Sequence, residues 1–111
     1  MIEIIILNHL AAALDVDVFM EQPQVKPDEY VVAEKTSSGR SNTLNRSTFA
    51  LQSYSTSMHG AAALNELTKT AVDSLIELDE ITSVKLNSDY NFTDTQTKQY
   101  RYQAVYDINH Y

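Results

Sequence analysis

The stretches Val84-Lys85-Leu86-Asn87-Ser88-Asp89-Tyr90-Asn91-Phe92 and Tyr100-Arg101-Tyr102-Gln103-Ala104-Val105-Tyr106-Asp107-Ile108 decide the fold of this chain, because they read together as a β-hairpin. Strand side chains alternate with period two, so the sequence predicts one face carrying Val84, Leu86, Ser88, Tyr90 and Phe92 and, across from it, Tyr100, Tyr102, Ala104, Tyr106 and Ile108. The connection Thr93-Asp94-Thr95-Gln96-Thr97-Lys98 is polar, and its Asp and Thr side chains can bond nearby backbone amides in a turn. Cross-strand packing accounts for most of the tyrosines. Tyrosine also joins a large contact area to a polar tip, so one or two are candidates to anchor an interface, and the hairpin suits assembly more than catalysis.

Upstream of the hairpin, Ser57 is placed to cap a long helix in which Met58, Ala61, Leu64, Leu67, Ala71, Leu75 and Leu78 recur at three- and four-residue steps. Residues 44–55 read as a strand with Phe49, Leu51 and Tyr54 as bulky members, residues 30–35 as another, and Ser37-Ser38-Gly39-Arg40-Ser41-Asn42 as a turn region. Residues 15–20 alternate as a short strand, and Pro23 and Pro27 bracket a crossing loop in which neither a helix nor a central strand continues. The three strands are expected to form a meander. At the start, Ile2, Ile5, Ile6, His9, Leu10 and Ala13 follow helical spacing. The order α-β-β-β-α-β-β predicts an α+β fold. Its mainly antiparallel sheet of about five strands is packed by an N-terminal helix and a long central helix.

A chain of 111 residues fits a single domain, residues 1–111, with one modest core. Eight Lys and Arg against fifteen Asp and Glu give a formal charge of −7, the wrong sign for gripping nucleic-acid phosphates. The absence of cysteine excludes a disulfide framework, a thiol nucleophile and a thiolate zinc site. The apolar run Ile4-Ile5-Ile6-Leu7 is too short to span a bilayer, and Met1 leads into Glu3 without the basic region of a signal peptide, which predicts a soluble protein made in the cytosol.

Enzyme signals are missing. His9, His59 and His110 fall on different predicted elements without the spacing of a helical metal pair, and the serines have no accompanying histidine and acid motif. The glycines, only at 39 and 60, exclude a phosphate loop. Asp15 and Asp17 place two carboxylates on one strand face but lack the further oxygen ligands and loop glycine of a calcium motif, and a solvated strand edge is the simpler reading. The acids Asp73, Glu77, Asp79 and Glu80 crowd the end of the long helix, where each costs up to about 1 kcal/mol against the macrodipole. They read either as a hydrated helix end or as an acidic surface facing a basic partner or a lumen.

Four segments, Tyr30-Val31-Val32-Ala33-Glu34-Lys35-Thr36, Ala50-Leu51-Gln52-Ser53-Tyr54-Ser55, Ala61-Ala62-Ala63-Leu64-Asn65-Glu66 and Val84 through Asp94, resemble tail-component proteins of long-tailed phages and prophages of Gram-positive bacteria. The functional class is the tail terminator, also called the tail completion or head-to-tail joining protein. The resemblance runs over nearly the whole chain and lies in the order and wording of segments, not in a catalytic motif. It implies a small non-enzymatic α+β subunit, similar to the tail terminator of lambda-like phages, that closes with copies of itself into a hexameric ring at the head-proximal end of the tail tube. The ring stops tube polymerisation and meets the major tail tube protein on one face and the head-tail connector or stopper protein on the other. DNA passes through the lumen without specific binding. The implied location is the virion tail, after assembly in the host cytoplasm, with no cofactor, metal or membrane.

A ring needs head-to-tail contacts that close by rotation. The candidates are the strand edges and the two polar turns, with Arg40, Arg46, Asp94, Gln96, Lys98 and Arg101 as contact residues. Asp73, Glu77, Asp79 and Glu80 are the candidates for a lumen that repels DNA. The alternatives are a neighbouring connector or stopper component, and a monomeric or dimeric module that engages a partner strand or peptide through its sheet.

Overall fold

A computed structural model describes residues 1–41 and 43–111. Its elements follow the expected α-β-β-β-α-β-β order. Helix α1 (Ile2–Ala13) buries Ile2, Ile6 and Leu10 at four-residue spacing and ends where Leu14 turns to extended backbone. Ala13 lies exposed and Ile5 and His9 only half-buried, so the buried stripe is narrower than the apolar pattern.

Strands β1 (Asp17–Phe19), β2 (Tyr30–Ser41), β3 (Leu44–Ser55), β4 (Ile81–Asn91) and β5 (Tyr100–His110) form one five-stranded sheet in the order β1-β2-β3-β5-β4. The ladders from β2 to β4 are antiparallel, whereas β1 runs parallel to β2, so the first three strands are not the expected meander. The reason lies in residues 20–29. A parallel neighbour requires a crossover instead of a tight turn, and this segment, stiffened by Pro23 and Pro27, brings Gln22 to the hydroxyls of Tyr30 and Tyr54.

Two further expectations change. The polar residues from Ser37 to Ser41 are strand, not turn: β2 and β3 stay paired out to Ser41 opposite Leu44, and Asn42 lies outside the described residues. Ser, Thr and Gly mimic a turn signal here because this part of β2 is exposed throughout, from Glu34 on. In β4 the alternation breaks, because the register shifts between Leu86 and Ser88 and leaves Asn87 as the extra residue of a β-bulge. Val84 and Leu86 therefore lie opposite Ile108 and Tyr106 on the helix side, while Tyr90 lies opposite Gln103 on the other face. The single five-residue face predicted for this strand is two faces.

Helix α2 (Met58–Asp73) starts at Ser57, whose hydroxyl accepts from the Gly60 amide at 2.9 Å. A Cβ on Gly60 would lie 2.2 Å from Ser55 Oγ, so the glycine lets the strand end and the first helical turn close on each other. The buried stripe runs through Ala61, Leu64, Asn65, Thr68, Ala71 and Val72, and continues to Leu75 in a 3₁₀ turn (Ser74–Glu77). Leu67 is not part of it and is 61 % exposed. At 3.6 residues per turn it sits about 60° from Leu64 on the side away from Thr68, whose hydroxyl is satisfied by the Leu64 carbonyl at 2.8 Å and by Ser53 Oγ at 3.1 Å.

Both helices pack on one face of the sheet, where Val31, Phe49, Leu51, Tyr106 and Ile108 meet Ile6, Leu10, Val72 and Leu75. A smaller cluster of Tyr30, Val32 and Tyr54, flanked by Phe19, lies apart from that core. Truncating Leu64, 5 % exposed, to alanine is expected to cost about 2–5 kcal/mol, whereas Leu67→Ala should stay within about 0.5 kcal/mol. Urea unfolding midpoints of the two variants check which leucine belongs to the core.

Candidate functional site

The contact residues expected from the sequence separate into two groups at opposite ends of a molecule measuring 45 × 24 × 24 Å. Asn45 of β3 pairs with His110, while Ser55, at the other end of β3, pairs with Tyr100. Arg40 and Arg46 therefore belong to the β2–β3 end, and Asp94, Gln96, Lys98 and Arg101 to the β4–β5 turn end.

At the β2–β3 end, Arg46 lies opposite Gly39, and both arginines line a cleft of about 460 Å³ with Leu44 and Asn109. Both are exposed. Among the described residues neither makes an ion pair within the chain. β1 pairs with Tyr30, Val31 and Val32, and among the described residues the outer edge of β2 beyond Val32 has no strand beside it.

At the other end, Asp94 organises its own turn. Its Oδ1 accepts from the Gln96 amide at 3.1 Å and the Thr97 amide at 3.4 Å, and its backbone closes a bridge with Gln99. The hydroxyl and amide of Thr97, then the amide of Gln96, hold the Asp94 carboxyl below the usual carboxylate range. Lys98 takes a φ of 54°, in the left-handed region that non-glycine residues seldom occupy. Gln96 and Lys98 are thus presented to solvent by a turn that Asp94 fixes, while Asp94 itself is engaged internally.

Arg101 is the least free of the expected contact residues. Its guanidinium lies 4.4 Å from the centroid of Phe92 and 5.9 Å from that of Tyr54. Nε donates to the Phe92 carbonyl at 2.7 Å and an Nη to the Tyr54 hydroxyl at 3.3 Å. Around it runs a network that the sequence does not announce. Tyr30 and Tyr54 stack at 4.5 Å, and the Gln22 amide bridges their hydroxyls. Tyr54 donates to Gln52, Gln52 to Gln103 at 2.9 Å, and Gln103 to the Tyr90 hydroxyl. Burial, and then its stacked neighbour Tyr54, raise the Tyr30 phenol above its ordinary value. Tyr90 and Phe92 are about two-fifths exposed at the rim of this surface. The only signal for it in the sequence is the phase of Gln52, Tyr54, Arg101 and Gln103 opposite to the apolar face.

The four acids also divide. Asp73 ends α2 and accepts from the Tyr106 hydroxyl at 3.2 Å. Burial, followed by the Asp73 charge, keeps that phenol protonated well above its ordinary range. Glu77 belongs to the 3₁₀ turn, and Asp79 and Glu80 to the connection into β4, so only Asp73 stands at the end of the α-helix. All four are exposed. Between them and the turn end, Lys69 of α2 pairs with Glu66 at 2.6 Å and with Asp89 of β4, and Asn65 donates to Asp89 at 2.7 Å.

Two histidines act as ties: His9 meets Ser74 Oγ at 2.7 Å and His110 meets Ser47 Oγ at 2.9 Å. Among the described residues no group of three or more His, Asp or Glu side chains is placed to hold a metal ion, and no helix is long and apolar enough to cross a membrane. Asp15 precedes β1 and Asp17 opens it, both exposed. Searches against protein-family models and against curated proteins returned no match to this chain.

The bulge in β4 is pinned by Asp107, which accepts from Thr48 Oγ1 at 2.7 Å and from the Asn87 amide at 3.1 Å. These bonds, Thr48 first, hold the Asp107 carboxyl below its ordinary value. A folded-state pKa below the unfolded one contributes stability above the unfolded value, near pH 4, and that contribution is lost as pH falls through the folded value. Asp107→Asn is expected to cost about 1 kcal/mol at pH 7, and the difference from the parent should shrink between about pH 4 and pH 2. Urea midpoints at pH 7, 5 and 3 check both size and sign.

Proposed function

We propose that this chain is a structural subunit that joins copies of itself head to tail into a ring, in the role of a phage tail terminator. The ring sits at the head-proximal end of the tail tube, ends tube polymerisation against the major tail tube protein, and presents its opposite face to the head-tail connector or stopper. The observation that carries this reading is the open sheet. Among the described residues β4 has no strand on its outer side, and β2 has none beyond Val32. A subunit with two different unpaired edges has different surfaces to offer on its two sides, which is what heterologous contacts require.

The resemblance in segment order supports the same role. Asp73, Glu77, Asp79 and Glu80 lie together along the path from α2 into β4. In a ring that turns this path inward they would repel the DNA phosphates and let the duplex slide.

Native mass spectrometry is expected to find a six-subunit species, or a monomer that becomes a ring on added tail tubes. A stable dimer without affinity for tube protein overturns the ring and favours a module that captures a partner strand. Replacing Glu77, Asp79 and Glu80 by lysine should make assembled rings retain duplex DNA in a mobility-shift assay at low salt, while the parent ring releases it. Retention unchanged by the substitution places those acids outside the channel.

A further inference from the structure

The geometry points to one contact that would link neighbouring copies: the basic β2–β3 hairpin end of one copy enters an acid-rimmed apolar groove between α1 and α2 of the next. This rests on the assembly reading in requiring a second copy, and it deepens that reading by naming the surfaces.

The groove has a volume of about 480 Å³ and an apolar floor made by Leu14, Val16, Ala63, Leu64, Leu67 and Ala71. Leu67 is the residue that fell outside the buried stripe of α2, and its 61 % exposure is on this groove. Asp15 and Glu29 stand at the rim. They belong to a stretch, residues 15–29, that carries five carboxylates and one lysine. A segment seated here must offer apolar or aliphatic surface and positive charge.

The β2–β3 hairpin end fits that description. Residues 37–46 carry Arg40, Arg46 and Leu44, and no acid. The side chains of the two arginines bring aliphatic stems as well as charge. Ser37, Ser38, Gly39 and Ser41 keep the ribbon thin.

Gly39 supplies an independent sign. A glycine inside a strand weakens it, and its usual reasons are a bulge, a bend or the close approach of another group. Gly39 has no positive φ, and the register is regular on both sides of it, from Ser38 opposite Ser47 to Arg40 opposite Asn45. A Cβ built on it meets nothing within 4 Å. Among the described residues nothing in its own subunit requires the missing side chain, which leaves the close approach to a second copy.

The hairpin cannot fill its own groove. From Tyr30, next to the rim residue Glu29, to Ser41 the strand extends for about 36 Å at some 3.3 Å per residue, and apart from a bulge at Thr36 it stays paired with β3 over that length. One end of each copy therefore meets the opposite end of another, which is a heterologous contact.

The absence of native cysteine makes the test direct. Ser41→Cys in one preparation and Leu67→Cys in another, one of them carrying a size tag, are mixed and oxidised. The mixed disulfide should form in clear excess over either self-linked species, and Arg40→Glu with Arg46→Glu in the first partner should cut its yield by about tenfold. Asp15→Lys with Glu29→Lys in the second partner should restore it. Gly39→Val should leave the unfolding midpoint unchanged or higher and still lower the mixed disulfide, a result that a folding defect would not give. Mixed disulfide no more abundant than the self-linked species overturns this contact. If native mass shows a ring all the same, the ring stands and its contacts lie elsewhere; no ring in solution or on tail tubes removes both readings.

Discussion

Strand β3 positions every layer of this molecule. It is paired along its length on both sides, with β2 from Tyr30–Tyr54 to Ser41–Leu44 and with β5 from Tyr100–Ser55 to His110–Asn45. A strand held in this way has its backbone donors and acceptors committed, so its alternation dictates what each face offers. Phe49, Leu51 and Ser53 go to the helices, where Ser53 and Thr68 satisfy each other in the core. Ala50, Gln52 and Tyr54 go the other way. There Gln22 of the crossover reaches the hydroxyls of Tyr30 and Tyr54, and Val32 is buried beside them. Both candidate contact ends are simply the two ends of this strand.

The bulge at Asn87 performs a second sorting. With unbroken alternation Tyr90 and Phe92 would point under α2, and Asp89 and Asn91 would point away. The extra residue reverses this, and the polar pair now reaches α2: Asp89 binds Asn65 and Lys69, and the Asn91 amide approaches the Met58 sulfur at 3.3 Å. The aromatic pair instead goes to the other face, with Phe92 beneath the Arg101 guanidinium and the Tyr90 hydroxyl bonded by Gln103. Placing a cation on an aromatic face lowers its freedom before any partner arrives, so a surface built around Arg101 gives up little entropy on contact. The cost of the bulge is a broken ladder, and Asp107 offsets it by bonding the displaced Asn87.

What could be read in advance follows from which signals are local. Element order, the Ser57 cap and the core face of β5 rest on periodicity and capping within a few residues, and they are visible in the chain. Three features depend on distant partners and are not. The parallel placement of β1 follows from where Gln22 finds Tyr30 and Tyr54. The strand identity of Ser37 through Ser41 follows from pairing with β3, because a polar strand exposed in this way carries no alternation. The bulge follows from Asp107 and Thr48, twenty residues or more away in sequence. For the candidate surface, the turn residues Asp94 to Lys98 were legible as a turn, but Asp94's internal engagement and the Tyr-Gln-Arg network were not, since each member is unremarkable alone.

The charge distribution constrains how such subunits can meet. At −7, copies repel one another unless the contact uses the minority sign. Of the cations, Lys35 is held by Glu3, Lys69 by Glu66 and Asp89, and Arg101 by Phe92 and Tyr54. Arg40 and Arg46 stand exposed at one end of the sheet, and the acidic stretch of residues 15–29 begins and ends near the other, where Lys26 and Lys98 are also exposed. An isologous dimer through the basic end would bring arginines together, and one through the acidic end would bring carboxylates together. A contact of unlike ends sets the two arginines against carboxylates and relieves that repulsion, and repetition of that contact gives a closed ring or an open filament according to the rotation between successive copies.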